Sequence, residues 1–102
     1  PIEINNIKNN FWVFGVLLQR DNIRDSVTKH LYDNNIETRP FFWPLHLQPA
    51  LPKEYAATNQ NLSISENLGS NGLYIPIGAH LTKKNQIEIV KKLIEAIKLF
   101  SK

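Results

Sequence analysis

The sequence predicts an α+β fold, in which a small, mostly antiparallel or mixed sheet has its flanking helices on one face. Two observations predict it. An aromatic and β-branched run at residues 11–18 is typical of a strand, and a long amphipathic segment from residue 82 to about residue 100 is typical of a helix. A chain of 102 residues with 42% hydrophobic residues can bury one modest core. We therefore predict one domain at residues 11–102, after a lead-in segment at residues 1–10.

The first strand and the first helix follow from the pattern of apolar residues. Residues 11–18 show no alternation of apolar and polar side chains, which favours a central strand buried on both faces. Asp21 and Asn22 can cap a helix at about residues 22–33, because their side-chain oxygens accept backbone hydrogen bonds. The apolar face of that helix repeats every four residues: Ile23, Val27 and Leu31.

A second strand and a stiff loop follow this helix. The helix is predicted to end at the asparagine pair 34–35, because asparagine tolerates the left-handed backbone that ends helices. Residues 36–39 then form a short strand that Pro40 stops. Four prolines occur in residues 40–52, which predicts an extended loop without regular structure. The aromatic side chains of this loop are too apolar to stay in water, so we expect them to pack against another part of the protein.

The second half of the chain is predicted to begin with a short helix and a strand. Ser63 and Glu66 match the S-x-x-E pattern of a capping box, which opens the helix. Gly69 or the pair at residues 71–72 would end it. Residues 73–75 form the strand that follows.

The last helix, from Thr82 as its cap to about residue 100, is predicted to be amphipathic. Its core-facing side chains recur at helical spacing: Ile87, Val90, Leu93, Ile94 and Ile97. On the charged face, Glu88 and Lys92 are spaced to pair four residues apart. Lysines dominate that face, so the net charge of +3 indicates a solvated helix surface rather than a nucleic-acid site.

The composition excludes several classes of function. The chain has no cysteine, which excludes disulfide scaffolds and thiolate metal sites, and the cytoplasm is the expected location. The three histidines are too far apart for a metal cluster, and hydrolase and P-loop motifs are absent. No apolar run reaches the roughly 20 residues that cross a bilayer, and the start of the given sequence, P-I-E-I-N, has neither the basic flank nor the apolar stretch of a signal peptide. The lack of methionine and the proline at position 1 indicate an excerpt of a longer reading frame.

The densest group of unusual residues is R-P-F-F-W-P-L-H-L-Q-P at residues 39–49. With the preceding I-E-T, it resembles the "G-I-x-T-R-P-F-F-x-P-L-H-x-x-P" stretch of the DegT/DnrJ/StrS aminotransferases. The likeness extends to the aromatic strand and the I-R-D helix opening upstream, and to four segments downstream: residues 65–68, 72–76 and 81–82 and the terminal amphipathic helix. It covers nearly all of residues 11–100.

The resemblance implies the C-terminal small domain of an aspartate-aminotransferase-like enzyme of fold type I, usually a homodimer. Such enzymes use pyridoxal phosphate to transfer an amino group from an amino acid, commonly glutamate, to a keto group of a nucleotide-linked sugar in polysaccharide biosynthesis. In that family the catalytic lysine and most cofactor ligands lie in the large domain, and their motifs are absent here. By itself the chain is expected to bind no cofactor and to be inactive. Its expected partners are the large domain of the same chain and the sugar nucleotide.

The resemblance also implies that the P-L-H loop approaches the sugar, and three residues are candidates for substrate binding: His46, Arg39 and Trp43. A proline-framed loop can hold the His46 imidazole for substrate hydroxyls or a diphosphate, although a hydrogen bond to a carbonyl of its own loop explains it equally well. The Arg39 guanidinium suits a phosphate or carboxylate, and a salt bridge to the large domain is the alternative. Trp43 is assigned to the cleft.

The remaining aromatic and histidine residues are assigned structural roles. Trp12, Phe41 and Phe42 are predicted to pack in the core or at a domain interface, and His30 and His80 to lie at the surface or near helix caps. In the isolated chain, residues 41–47 are expected to expose an apolar patch, because the large domain is absent. A stand-alone α+β binding or interaction module, with the aromatic loop as its recognition surface, is the alternative to the enzyme.

Overall fold

The computed structural model describes residues 6–51 and 61–101 and confirms the α+β architecture. Within these residues the elements are β1 (Phe14–Leu17), α1 (Arg24–Asp33), β2 (Arg39–Pro40), a 3-10 turn (Leu45–Leu47), α2 (Ser63–Asn71), β3 (Gly72–Ile75) and α3 (Lys83–Phe100). Apart from Pro40, which ends β2, the 3-10 turn is the one regular element inside the described part of the predicted loop. Half of the predicted lead-in segment, residues 1–5, and the last residue of the predicted loop, Pro52, lie outside the described residues.

The sheet is antiparallel, and its strand order is β1-β3-β2. The prediction of a central strand at residues 11–18 is wrong, because β1 lies at an edge and β3 is the central strand. Phe14 of β1 pairs with Ile75 of β3 and remains 50% exposed. The side chains of the apolar run therefore lie on both faces of the sheet, and this chain covers those side chains only in part.

The hydrophobic core lies between one face of the sheet and helices α1 and α3. Four of its side chains are completely buried: Val27, Leu31, Leu73 and Ala96. The predicted apolar face of α1 is confirmed, and Ile23 packs at the margin of the core. A buried aliphatic side chain of this size contributes about 1.5–3 kcal/mol relative to an exposed one, so this small group holds the two helices on the sheet.

The end of α1 confirms the role of the asparagine pair and shortens the second strand. Asn35 has a φ of 60°, and its amide donates to the carbonyl of Tyr32 at 2.9 Å. The amide of Ile36 donates to Leu31 at 2.9 Å, which completes a Schellman motif. Because Ile36 belongs to this helix end, ladder pairing starts only at Arg39, and the predicted strand at residues 36–39 is largely wrong.

The beginning of α1 differs from the prediction. Ile23 is the N-cap residue, without a side-chain capping bond, so the predicted cap by Asp21 or Asn22 is wrong. The carboxylate of Asp21 instead accepts a hydrogen bond of 2.6 Å from the side-chain amide of Asn71. Asn22 has a φ of 63° and turns the chain into the helix.

Helix α3 begins as predicted, but it is rotated relative to the predicted stripe. Thr82 Oγ1 accepts from the Asn85 amide at 3.2 Å and Asn85 Oδ1 from the Thr82 amide at 3.1 Å, a reciprocal capping box. The buried side chains of α3 are Ile89, Leu93 and Ala96. Three members of the predicted stripe are instead 60%, 47% and 46% exposed: Ile87, Val90 and Ile94. No helix in the described part of the chain is both long and apolar enough to cross a membrane.

The charged face of α3 carries a different ion pair from the predicted one. Lys92 pairs with Glu95 at 3.0 Å rather than with Glu88, and its hydrogen bond lowers the pKa of the Glu95 carboxyl. His30 Nε2 lies 3.6 Å from the same carboxylate, and its ring meets Phe100 edge-on at 6.3 Å between centroids. His30 is therefore packed between α1 and α3, and the predicted surface role for it is wrong.

Phe41 covers part of the sheet face opposite helices α1 and α3. Its ring stacks on Tyr74, with 4.5 Å between centroids, and lies across Gly15 and Gly72 of the neighbouring strands. A Cβ atom at Gly15 would be 2.7 Å from the ring, and one at Gly72 would overlap it. The two glycines thus make the space that lets the loop after β2 lie flat on the sheet.

Candidate functional site

The loop that follows β2 is attached to the sheet and to α2 at fixed points. We call residues 40–48 the aromatic loop. Its Phe41 amide donates to the Gly72 carbonyl at 3.1 Å, next to the stacking of the Phe41 ring on the sheet. Pro44 is buried, and Gly69 of α2 brings the helix backbone against its ring. The aromatic loop is consequently held by backbone, ring and helix contacts rather than by one end alone.

Inside the aromatic loop, hydrogen bonds close the 3-10 turn. The Leu47 amide donates to Pro44 at 3.0 Å, and the Gln48 amide to Leu45 at 3.1 Å. Trp43 Nε1 donates to the Leu47 carbonyl at 3.2 Å, and Gln48 Nε2 donates to the Trp43 carbonyl at 3.1 Å. The loop satisfies these polar groups itself, so the turn has one defined conformation that can present side chains in fixed directions.

The imidazole of His46 faces α2. Its Nε2 lies 2.9 Å from Glu66 Oε1, and the His46 side chain is only 14% exposed. The alternative in which His46 bonds a backbone carbonyl of its own loop is therefore wrong. Glu66 lies in the first turn of α2, where the helix dipole favours a carboxylate.

Glu66 bonds His46 and does not form the predicted capping box. The N-cap residue of α2 is Leu62, which makes no side-chain capping bond, and the Ser63 amide is instead bonded by Asn61 Oδ1 at 3.1 Å. The Ser63–Glu66 capping box is thus wrong, while the predicted end of the helix at residues 71–72 is confirmed by Gly72 as the C-cap. The carboxylate that would close the box points to the aromatic loop.

We use the term apolar surface around Trp43 for the exposed large apolar side chains of the aromatic loop. Trp43 is 46% exposed, and its neighbours Phe42, Leu45 and Leu47 are 75%, 74% and 41% exposed. The expectation of an exposed apolar patch at residues 41–47 is confirmed for these four side chains, whereas Phe41 packs on the sheet and Pro44 is buried. Phe42 is not buried within this chain, and neither is Trp12, which is 70% exposed.

Arg39 lies apart from the other two predicted site residues. It belongs to β2 opposite Tyr74, its side chain is 80% exposed, and its guanidinium is 3.6 Å from Glu37 Oε1. With Val13 and Tyr74 it lines a shallow cavity at the edge of the sheet. In the part of the chain that the structure describes, no hydrogen bond or ion pair links Arg39 to His46 or to Trp43, which share the aromatic loop.

A polar cleft beside α2 was not predicted from the sequence. It has a volume of about 610 Å³ and lies between the turn before α1 and the outer face of α2. Asn71 is 4% exposed at its floor and donates to Asp21 at 2.6 Å and to Asn67 at 2.8 Å. Glu66 also lines this cleft, so its carboxylate lies between the cleft and the aromatic loop. Glu66, Asn67 and Asn71 share one helix, but nothing in the sequence links them to Asp21, which is fifty positions from Asn71.

Comparisons with known proteins match almost the whole chain. The model of the DegT/DnrJ/EryC1/StrS aminotransferase family matches residues 2–94. A GDP-perosamine synthase of Escherichia coli O157:H7 is 30% identical over 91% of this chain, and one of Caulobacter vibrioides is 35% identical over 85%. EpsN of Bacillus subtilis, named as a candidate pyridoxal phosphate-dependent aminotransferase, is 28% identical over 84%. The chain spans 24%, 23% and 22% of these three relatives, about a quarter of their length.

Proposed function

Because the chain belongs to the DegT/DnrJ/EryC1/StrS aminotransferase family, we propose that residues 11–102 are the C-terminal small domain of a longer aminotransferase. That enzyme transfers an amino group from an amino-acid donor to a keto group of a nucleotide-linked sugar. Two relatives are named as synthases of GDP-perosamine, which supports a nucleotide-linked substrate. No specific observation favours a stand-alone binding module.

The described residues of this chain do not fit pyridoxal phosphate. The cofactor needs a lysine amine beside a cavity that holds its ring and phosphate. No lysine lines any of the four main cavities among the described residues. We therefore propose that other parts of the full-length protein bind the cofactor and that this chain is inactive by itself. Incubation with pyridoxal phosphate and borohydride should give no stoichiometric adduct at a single lysine, and such an adduct would contradict the proposal.

The function of this chain in the longer enzyme is to present polar groups to the sugar nucleotide. The observation that carries this proposal is the fixed position of His46 in a loop held by Phe41 and Pro44. Such a loop can hold the imidazole for a hydroxyl or diphosphate oxygen with little loss of conformational entropy on binding. Trp43, already half-exposed beside it, supplies an apolar wall of the same cleft.

Arg39 has a separate position and therefore a separate proposed role. Its exposed guanidinium has five donors in a planar fork and can bind a phosphate or carboxylate with two hydrogen bonds. The competing partner is a carboxylate of the large domain. Its present ion pair, at 3.6 Å from Glu37, is exposed and weak enough to be exchanged for either.

The apolar surface around Trp43 is proposed to pack against the large domain of the same chain or against the second subunit of a homodimer. Several exposed aromatic and leucine side chains within one short loop are typical of a surface that binds another protein. The same contact would close one side of the substrate cleft, because the surface and His46 belong to one loop.

The test separates the two half-reactions of the full-length enzyme. In His46→Ala, reaction with the sugar nucleotide should slow by about one to two decades, since losing one well-placed hydrogen bond costs about 1–3 kcal/mol. Reaction with the amino-acid donor should remain nearly unchanged. Stopped-flow absorbance of the cofactor measures both reactions. His80→Ala is the matched control, because His80 is exposed in the turn before α3.

The two half-reactions also control for misfolding. A destabilised enzyme would lose both reactions together, whereas loss of a substrate contact affects one of them. Equal losses in both half-reactions, or no loss in either, would contradict substrate binding by His46 and leave it only a structural role.

A further inference from the structure

The one side-chain partner of His46 in the described structure comes from a different element. Its Nε2 is 2.9 Å from Glu66 Oε1, twenty positions along the chain, and no described residue bonds its Nδ1. An ionised carboxylate only accepts hydrogen bonds, so Nε2 must carry the hydrogen of this bond. In the neutral imidazole, Nδ1 is then the acceptor.

We propose that Glu66 is a positioning residue that fixes the orientation and the tautomer of His46. With Nε2–H donated to Glu66, Nδ1 accepts a hydrogen bond from a hydroxyl group of the nucleotide-linked sugar. This inference rests on the proposed function of His46 and adds which ring nitrogen meets the substrate and which residue sets it. Glu66 itself does not touch the substrate.

Contacts around the His46–Glu66 pair fix the position of the aromatic loop relative to α2. One turn along α2 from Glu66, the backbone at Gly69 approaches Pro44 so closely that a Cβ atom there would lie 2.6 Å from the proline ring. The Gly69 carbonyl accepts a hydrogen bond of 2.6 Å from Arg24, which ties α2 to α1. The His46–Glu66 bond is therefore made between two backbones that already have fixed positions, as a preorganised site requires.

The local structure also frees Glu66 for this role. Asn61 bonds the Ser63 amide at the start of α2, so the carboxylate is not needed as a cap. The Glu66 side chain is 48% exposed, and the His46 side chain is 14% exposed. The half-exposed carboxylate thus orients a ring that is mostly buried.

The experiment uses the full-length aminotransferase that contains this chain, with Glu66→Ala and Glu66→Gln. Glu66→Ala should lower kcat/KM for the sugar nucleotide roughly tenfold, the lower range for loss of a supporting residue. Glu66→Gln should restore much of this, because its amide oxygen can still accept from Nε2–H. Glu88→Gln, which alters an exposed carboxylate on α3, is the matched control and should leave the reaction unchanged.

A spectroscopic readout reports the pair without any substrate. In enzyme labelled with ¹⁵N only in histidine, the two ring nitrogens of His46 distinguish the tautomers, with His46→Ala identifying the signals. We expect Nε2–H in the wild type and in Glu66→Gln, and a mixture of tautomers in Glu66→Ala. Thermal unfolding of each variant checks that the fold is retained.

The outcomes separate this inference from the proposed function. An unchanged tautomer in Glu66→Ala overturns the positioning role even where His46→Ala impairs the sugar half-reaction. A changed tautomer with unchanged kinetics in Glu66→Ala overturns it as well. If His46→Ala leaves the sugar half-reaction intact, the proposed function fails, and the tautomer measurement still reports whether the pair exists.

Discussion

Replacing Gly15 by alanine tests how the aromatic loop lies on the sheet. The new Cβ atom would be 2.7 Å from Cζ and 3.1 Å from Cε1 of Phe41, and an ordinary 3.8 Å from Tyr74. The Phe41 ring cannot tilt away freely, because its other edge lies on Gly72 and its face stacks on Tyr74. The substitution therefore forces either the ring or the strand to move.

The change in the free energy of unfolding caused by Gly15→Ala results from two opposing effects. Overpacking of this kind costs about 1–3 kcal/mol, and alanine in a strand recovers about 0.5–1 kcal/mol of the backbone entropy that glycine loses. Gly15→Ala should thus lower the free energy of unfolding by about 0.5–2 kcal/mol. With a urea slope of roughly 1 kcal/mol per M, the unfolding midpoint should fall by about 0.5–2 M.

The companion variant Phe41→Leu makes the test specific. Leucine lacks the Cζ and Cε1 atoms that the new Cβ would meet, while it keeps the branched carbons that lie over Gly72. In the Phe41→Leu background, Gly15→Ala should become stabilising by about 0.5–1 kcal/mol, since only the entropy gain remains. Urea unfolding of the four proteins gives the coupling energy between the two positions.

The control substitution for this test is at Gly78. Gly78→Ala should cost little, because its Cβ would meet the His80 ring, which is exposed and can rotate into solvent. The same loss for Gly15→Ala with and without the Phe41 ring would refute the arrangement of the loop on the sheet.

Three further substitutions test the packing, capping and charge of α3. Leu93→Ala should lower the free energy of unfolding by about 2–5 kcal/mol in urea, whereas Ile94→Ala should change it by no more than about 0.5 kcal/mol, because only Leu93 is buried. Thr82→Ala removes the reciprocal cap and should cost about 0.5–2 kcal/mol, with less helical circular dichroism if α3 frays at that end. Lys92 lowers the pKa of Glu95, so the stabilising contribution of this carboxylate is present above its ordinary pKa and is lost as pH falls through the lowered value. The melting temperature of Glu95→Gln should lack that acid dependence.

Local signals in the sequence predicted the helix ends best. The asparagine pair after α1 and the threonine before α3 act through hydrogen bonds within a few residues, and both were confirmed. A cap of this kind needs no information about distant parts of the chain. Asp21 shows the limit, because it has the chemistry of a cap but bonds Asn71, fifty positions away.

The packing of apolar residues was predicted less well, since it depends on what covers them. In α3, apolar side chains surround about half of the helix, so the pattern fits two overlapping stripes. The sheet and α1 cover Ile89 and Leu93, and leave Ile87 and Val90 exposed. The run at residues 11–18, which contains β1, was similarly assigned to a buried central strand, although strand order is set by pairing with β3.

The candidate site shows the same division between local chemistry and distant partners. Proline density located the aromatic loop and the family resemblance made His46 a candidate, but nothing near His46 in the sequence indicates its partner. Glu66 fits the S-x-x-E capping pattern, so its carboxylate could either accept from the Ser63 amide or bond the His46 imidazole. Asn61 takes over the backbone amide at the start of α2, and Glu66 then bonds the imidazole across 2.9 Å. Under the proposed positioning role, the tautomer of His46 therefore depends also on Asn61, which bonds the amide at the start of α2 and leaves Glu66 free for the imidazole.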